Sequence, residues 1–349
     1  MKMSYILSSE KADALFSELK KQYRIYAPKR FKAQGRFSDT DIIRYAEVSS
    51  LEEIVFDEKS DYPAKEVISP IQQALFFFTE DEYRTSKGNT KPILLFARPC
   101  DINAQHVQAK IYAGNGGFVD MYYERMRELV KFVLVECPNS DDTCFCVSMG
   151  SNKTDDYAMA IRVEADGSVK FKVCDEKLMP FFSNVPTAEF EPMFVEENET
   201  KVTLPDISNK EILNKLKEHP MWKEYNGRCI SCGACTIACS TCTCFTAKDI
   251  AYGDNPEVGE RRRVTASCQI DGFSTVAGGA SYRKTAGDNM RFKMLHKFHD
   301  YKARFGDSHM CVGCGRCIHR CPEFISVTNT LNKMCGAVEE IKAEKGGAE

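Results

Sequence analysis

Apolar positions in the first two hundred residues follow two different periods. Ser9 is placed to cap a helix whose Leu15, Phe16 and Leu19 fall on one face. Residues 92–97, Pro-Ile-Leu-Leu-Phe-Ala, form a short continuous apolar run that suits a buried strand, and residues 130–135, Val-Lys-Phe-Val-Leu-Val, form another. Ile161 and Val163, then Asp166-Gly167, then Val169, Phe171 and Val173 alternate on either side of a turn dipeptide, which predicts a β-hairpin. Ile212, Leu213 and Leu216 make a short helical run closed by Pro220. From Asn289 to Phe305 the pattern is helical again, through Phe292, Leu295, His296, Phe298, Tyr301 and Phe305, with few β-branched runs nearby. The expected fold class is therefore α+β: a mixed α/β domain over residues 1–200, a polar linker over 201–225, and a mainly helical domain over 226–349.

Composition narrows the function. A 349-residue chain with 43% hydrophobic residues can build real cores, and its net charge of -3 gives no electrostatic case for nucleic acid as a partner. No apolar stretch approaches the ~18 residues of a membrane span, and the first residues lack the apolar core of a secretion signal, so the expected location is cytoplasmic. Seventeen cysteines in that compartment argue for metal rather than disulfides. Their distribution is uneven: five lie before residue 220 and twelve between 229 and 335.

Eight of the twelve form a duplicated unit, Cys-x2-Cys-x2-Cys-x3-Cys. The first copy is Cys229, Cys232, Cys235 and Cys239; the second is Cys311, Cys314, Cys317 and Cys321, followed by Pro322. Three cysteines at this spacing wrap one four-iron, four-sulfur cubane, and the fourth ligates the other cluster when two runs are present. The rule assigns Cys229, Cys232, Cys235 and Cys321 to a first 4Fe-4S cluster, and Cys311, Cys314, Cys317 and Cys239 to a second. Gly233, Gly313 and Gly315 leave room for backbone to approach inorganic sulfide. Structural zinc sites use separated cysteine pairs, often with histidine, and do not fit three thiolates within seven residues. Ser240 stands where the bacterial pattern has proline, so Cys242 or Cys244 could compete with Cys239 as the fourth ligand.

Further cysteines have two readings each. Cys100 follows one expected strand, Cys137 another, and Cys144 and Cys146 form a tight pair, so these four could converge on a third iron-sulfur cluster or pack as small hydrophobes. Cys174 on the hairpin is expected in the core. Cys242, Cys244, Cys268 and Cys335 are expected to pack, with Cys242 and Cys244 near enough to the first run to tune it. The basic residues Arg261-Arg262-Arg263, Arg283-Lys284, Arg291, Lys293, His296 and Lys297 could offset cluster charge, although a solvated face is the commoner outcome.

The stretch Cys239-Ser-Thr-Cys242-Thr-Cys244-Phe245 resembles the extended motif of the iron-sulfur subunit of anaerobic sulfite reductases, and of the related β subunit of nickel-iron sulfhydrogenases. Ser267-Cys268, Ala277-Gly278-Gly279, Arg304-Phe305-Gly306, Arg98-Pro99-Cys100-Asp101 and Thr143 to Gly150 extend the resemblance over most of the chain. It implies a non-catalytic electron-transfer component of a hetero-oligomer. Such a component would relay single electrons from a flavin-containing, NAD(P)H-oxidising subunit to a sirohaem subunit that reduces sulfite to sulfide. The alternatives are the same relay in a sulfhydrogenase-type complex, a cluster-based redox sensor, and a stand-alone enzyme with an open cluster iron. No Gly-x-Gly-x-x-Gly follows a strand, since Gly114-Asn115-Gly116-Gly117 lacks that spacing, and hydride chemistry is expected on another chain.

Overall fold

The computed structural model describes residues 3–346 except Lys87 and Asp307. Seven strands form one sheet: β1 (Met3–Leu7), β2 (Arg24–Phe31), β3 (Ile42–Glu47), β6 (Ile93–Ala97), β7 (Val130–Val135), β8 (Met159–Val163) and β9 (Val169–Val173), in the order β1-β9-β8-β7-β6-β2-β3. Its middle is parallel, β2 with β6, β6 with β7 and β7 with β8, while the edge pairs are antiparallel. Every residue of β6 is buried. Leu94 and Phe96 face one apolar layer under helix α1 (Ser9–Gln22), while Ile93, Leu95 and Ala97 face another, beside Ile102, Tyr112 and Tyr123. That two-sided burial is why the strand reads as an unbroken apolar run.

The expected strands and hairpin are present, and Leu15, Phe16 and Leu19 are buried on α1. The helix begins one residue earlier than a Ser9 cap requires: Ser8 holds the cap position, without a side-chain bond. Ile212, Leu213 and Leu216 lie on the helix Lys210–Glu218 and enter a separate core with Trp222, Met294 and Leu331. The stretch from 289 is helical, with a π turn at His296–Asp300 between Ala286–Leu295 and Tyr301–Phe305.

One element of the C-terminal part departs from the mainly helical expectation. Residues Phe245–Tyr252 (β10) and Asn255–Thr265 (β11) form an antiparallel hairpin, joined by β4 (Gln72–Phe78) and β5 (Tyr83–Arg84) into a four-stranded sheet in the order β10-β11-β4-β5. Strands far apart in sequence thus share one sheet, and the chain's two parts are knit together through it.

A buried ion pair makes the second joint. Arg316, in the second cysteine run, donates to both oxygens of Asp101 at 2.8 and 2.7 Å, and both side chains are 1% exposed. Arg316 also donates to the Ser60 carbonyl and hydroxyl, and Ser240 Oγ and Tyr45 Oη donate to Asp101. Beside it, Gly313 and Gly315 take left-handed backbone (φ 64 and 70°), where a Cβ would meet the Phe145 and Thr143 backbones at 2.6 and 2.5 Å. These glycines therefore admit the neighbouring loop as well as the turn.

A desolvated pair is costly to break from one side, because the remaining charge stays buried. Asp101→Ala is expected to destabilise the anaerobically purified chain by about 3–5 kcal/mol, read as a lowered thermal midpoint. A midpoint equal to that of the unaltered chain would show that the pair does not hold the joint.

Candidate metal centre

The eight cysteines of the two runs reach the same region by different routes. In the first run, Ser231 (φ 55°) and Gly233 (φ 75°) turn the backbone back on itself before the short helix Ala234–Ile237. Cys229, Cys232 and Cys235 then line one cavity, partly open to solvent, together with Cys321 and Cys317 from the second run. Lys293 and Met290 complete much of its wall. Cys232 is exposed, whereas Cys229, Cys235 and Cys321 are half-buried. The Ile325 N–H donates to Cys321 Sγ at 3.3 Å.

Around the second run, the thiols of Cys239, Cys311, Cys314 and Cys317 lie within electrostatic reach of one another. The Gly313 N–H donates to Cys311 Sγ at 3.4 Å. Ser240 Oγ lies 3.6 Å from Cys314 Sγ, so the residue standing in place of proline contacts the facing loop. Cys242 is hydrogen-bonded to Cys239, while Cys244 pairs with Cys268.

Protonation chemistry agrees with a cationic guest. Burial pushes the Cys311 thiol up to about 12 against the pull of Lys297, and burial likewise raises Cys317 and Cys229. These groups would stay neutral unless a metal took the proton's place, and iron-sulfur ligands must be thiolates. Cys239 departs from this: its hydrogen bond with Cys242 and the nearby Lys297 and Lys65 hold it well below the usual thiol range. The soft, all-sulfur donor set fits iron-sulfur clusters.

The N-terminal domain supplies much of the surroundings. Lys59 Nζ donates to the Cys314 carbonyl at 3.1 Å, Lys65 Nζ to the Cys242 carbonyl at 3.1 Å, and Gln108 Nε2 to the Ser240 carbonyl at 2.9 Å. Phe145 N–H donates to the Gly313 carbonyl at 2.8 Å. No spacing rule singles out Lys59, Lys65 or Gln108, because each acts through a contact with a residue far away in sequence.

The third cysteine group occupies the carboxyl ends of parallel strands. Cys100 sits in the first turn of the helix Pro99–Gly114 after β6, and Cys137 lies two residues beyond β7. Cys146 is within electrostatic reach of Cys144, Cys137 and Cys100. Three of these thiols have polar neighbours: Arg98 Nη1 lies 3.2 Å from Cys137 Sγ, Lys59 Nζ 3.5 Å from Cys144 Sγ, and Asn198 Nδ2 3.6 Å from Cys146 Sγ. Burial raises Cys146 to about 11. Cys174 lies just past β9 and packs against the sheet core, and Cys335 Sγ contacts the Thr203 carbonyl at 3.5 Å.

The basic residues divide. Arg261, Arg262 and Arg263 sit on β11 and pair with Asp249, Glu260 and Asp120. Arg283 stacks on Phe292, and Arg291 pairs with Asp288. Lys293 and Lys297 depart from the expected solvated face: both are buried, and Lys297 Nζ lies 3.4 Å from Cys239 Sγ. His296 is driven down to about 4 by burial and by Lys297.

Residues 228–325 match a protein family described as a 4Fe-4S dicluster domain, so the chain carries two 4Fe-4S clusters. It is 30% identical to the sulfhydrogenase 2 subunit beta of Pyrococcus furiosus, over an alignment covering 95% of this chain and 98% of that relative. A likeness at this level, over nearly all of both chains, places the chain in the family of sulfhydrogenase β subunits.

Proposed function

We propose that the chain is the electron-transfer subunit of a sulfhydrogenase-like complex, passing single electrons between its two clusters. The observation that carries this reading is the interleaving of the two runs, with Cys321 of the second on the cavity of the first and Cys239 of the first beside the thiols of the second. Ligation then follows that exchange: Cys229, Cys232, Cys235 and Cys321 on one cluster, and Cys311, Cys314, Cys317 and Cys239 on the other. When bound, the clusters supply one-electron storage. The protein's part is to hold the thiolates, donate N–H groups to sulfur and shield the second cluster from water.

Exposure gives the relay a direction in space. Cys232 reaches solvent beside Ile230, whereas Cys314 is buried beneath the N-terminal domain. The first cluster is the port through which electrons cross the protein boundary, and the second is the interior station. Among the described residues no helix is long and apolar enough to cross a membrane. The proposed complex is a cytoplasmic hetero-oligomer containing a flavin, NAD(P)H-oxidising subunit.

The terminal chemistry belongs to another subunit. Similarity over nearly the whole chain to a sulfhydrogenase subunit supports the sulfhydrogenase side of the resemblance carried by the Cys239–Phe245 motif over its sulfite-reductase side. Purifying the complex from its native host under anaerobic conditions decides between them. Nickel in stoichiometric amount is expected; a sirohaem absorption band without nickel would reverse the assignment in favour of a sulfite reductase.

Cys100, Cys137, Cys144 and Cys146 complete the proposed relay as ligands of a third iron-sulfur cluster. Support comes from their grouping and from the polar contacts of Lys59, Arg98 and Asn198 with three of the thiols. The fully loaded chain is then expected to hold about twelve irons, counting four per cubane, and Cys144→Ala to hold about eight. Equal iron and acid-labile sulfide in the two proteins would remove the third cluster and leave the other two standing.

A further inference from the structure

Lys293 and Lys297 lie four residues apart on one continuous helical run, which places them on the same face. They are 2% and 3% exposed. Lysine is almost never this deeply buried without a charged partner, because desolvating an ammonium is expensive. The groups these two face are cysteine sulfurs, which carry negative charge as thiolates when they hold a cluster. Lys297 Nζ donates to Cys239 Sγ at 3.4 Å and to Thr241 Oγ1 at 3.2 Å, and it is within electrostatic reach of Cys242 and Cys311. The Lys293 ammonium is hydrogen-bonded to Cys235 and within reach of Cys317. The helix adopts its π turn where Lys297 meets Cys239, and such turns recur where a helix must present a functional side chain.

The two lysines therefore differ in what they touch. With the ligands exchanged between the runs, Cys239 and Cys311 belong to the second cluster, so Lys297 faces that cluster alone. Cys235 belongs to the first and Cys317 to the second, so Lys293 stands between them. A positive charge buried beside a cluster is little screened by water or salt, and it favours the form carrying the extra electron.

We propose that Lys293 and Lys297 are fixed charges that set the reduction potentials of the two clusters, Lys297 raising that of the second and Lys293 raising both. They act through the thiolate ligands and are positioning residues rather than catalytic ones. The inference rests on the two-cluster reading, and iron content tests that reading separately.

The test is a redox titration of the anaerobically purified full chain, followed by electron paramagnetic resonance after iron and labile sulfide have been counted. Lys297→Met should lower the midpoint of the second cluster by about 59 mV or more, a tenfold change in its reduced-to-oxidised ratio at fixed potential, with the first cluster unmoved. Lys293→Met should lower both midpoints, and Lys297→Arg should keep the original values. Full iron content with unmoved midpoints in both methionine variants would overturn the inference while leaving the relay intact. If Lys297→Met loses iron, Lys297→Gln and Lys297→Arg carry the comparison: a lower midpoint in Gln supports the role, and equal midpoints overturn it. Too little iron in the unaltered chain for two clusters would instead overturn the two-cluster reading.

Discussion

The arrangement turns on one desolvated ion pair, Arg316 with Asp101. Arg316 lies between Cys314 and Cys317, so its bond to Asp101 tethers the loop that carries those thiols. Asp101 opens a helix directly after β6, the most buried strand of the large sheet. Ser240, next to Cys239, bonds to both partners. A single buried contact thus ties a rigid parallel sheet to both cysteine runs, and it has a bidentate geometry that lysine could not reproduce. Such a pair is a weak source of net stability but a strong constraint on register, because a shifted loop would leave two charges unpaired in the interior.

Charge balance explains why so much of the N-terminal domain crowds the second cysteine run. Four thiolates around a cubane concentrate negative charge in a poorly solvated place, and the fold answers with ammonium and amide donors from several directions. Lys59, Lys65 and Gln108 approach from one side and bond to carbonyls of the cysteine loops. Lys293 and Lys297 approach from the other and meet sulfur directly. The first run, proposed to hold the cluster at the surface, needs less of this, since water reaches Cys232. The domain of mixed sheet and helix acts as a fitted cover that controls how dry and how positive the inner site is, which are levers on cluster potential.

Much of this is legible in the sequence, for identifiable reasons. The buried strands β6 and β7 announce themselves as apolar runs because both faces of the sheet are covered, and the cysteine spacing carries the dicluster domain because three thiols at that interval have few other uses. The hairpin of β10 and β11 is not legible. Its residues, including Lys248, Asp249, Glu257 and three consecutive arginines, cover an exposed ribbon with polar side chains, so no alternating apolar signal exists. For Lys293 and Lys297 the sequence leaves two readings, cluster counter-charge or solvated face, since burial of a lysine is decided by sulfur groups from a run more than fifty residues away. The roles of Gly313 and Gly315 are only half visible: the turn is legible, the docking of Phe145 and Thr143 against it is not.

If the interleaved cysteine runs hold two cubanes as proposed, those cubanes are close neighbours in one electron path. Low-temperature electron paramagnetic resonance of the dithionite-reduced chain tests it most directly, because two paramagnetic clusters at short range split and broaden each other's signals. The expected spectrum shows interaction features and simplifies when Cys239→Ala removes a proposed ligand of one cluster. A reduced protein giving a single sharp, isolated cluster signal, unchanged by that substitution, would contradict it.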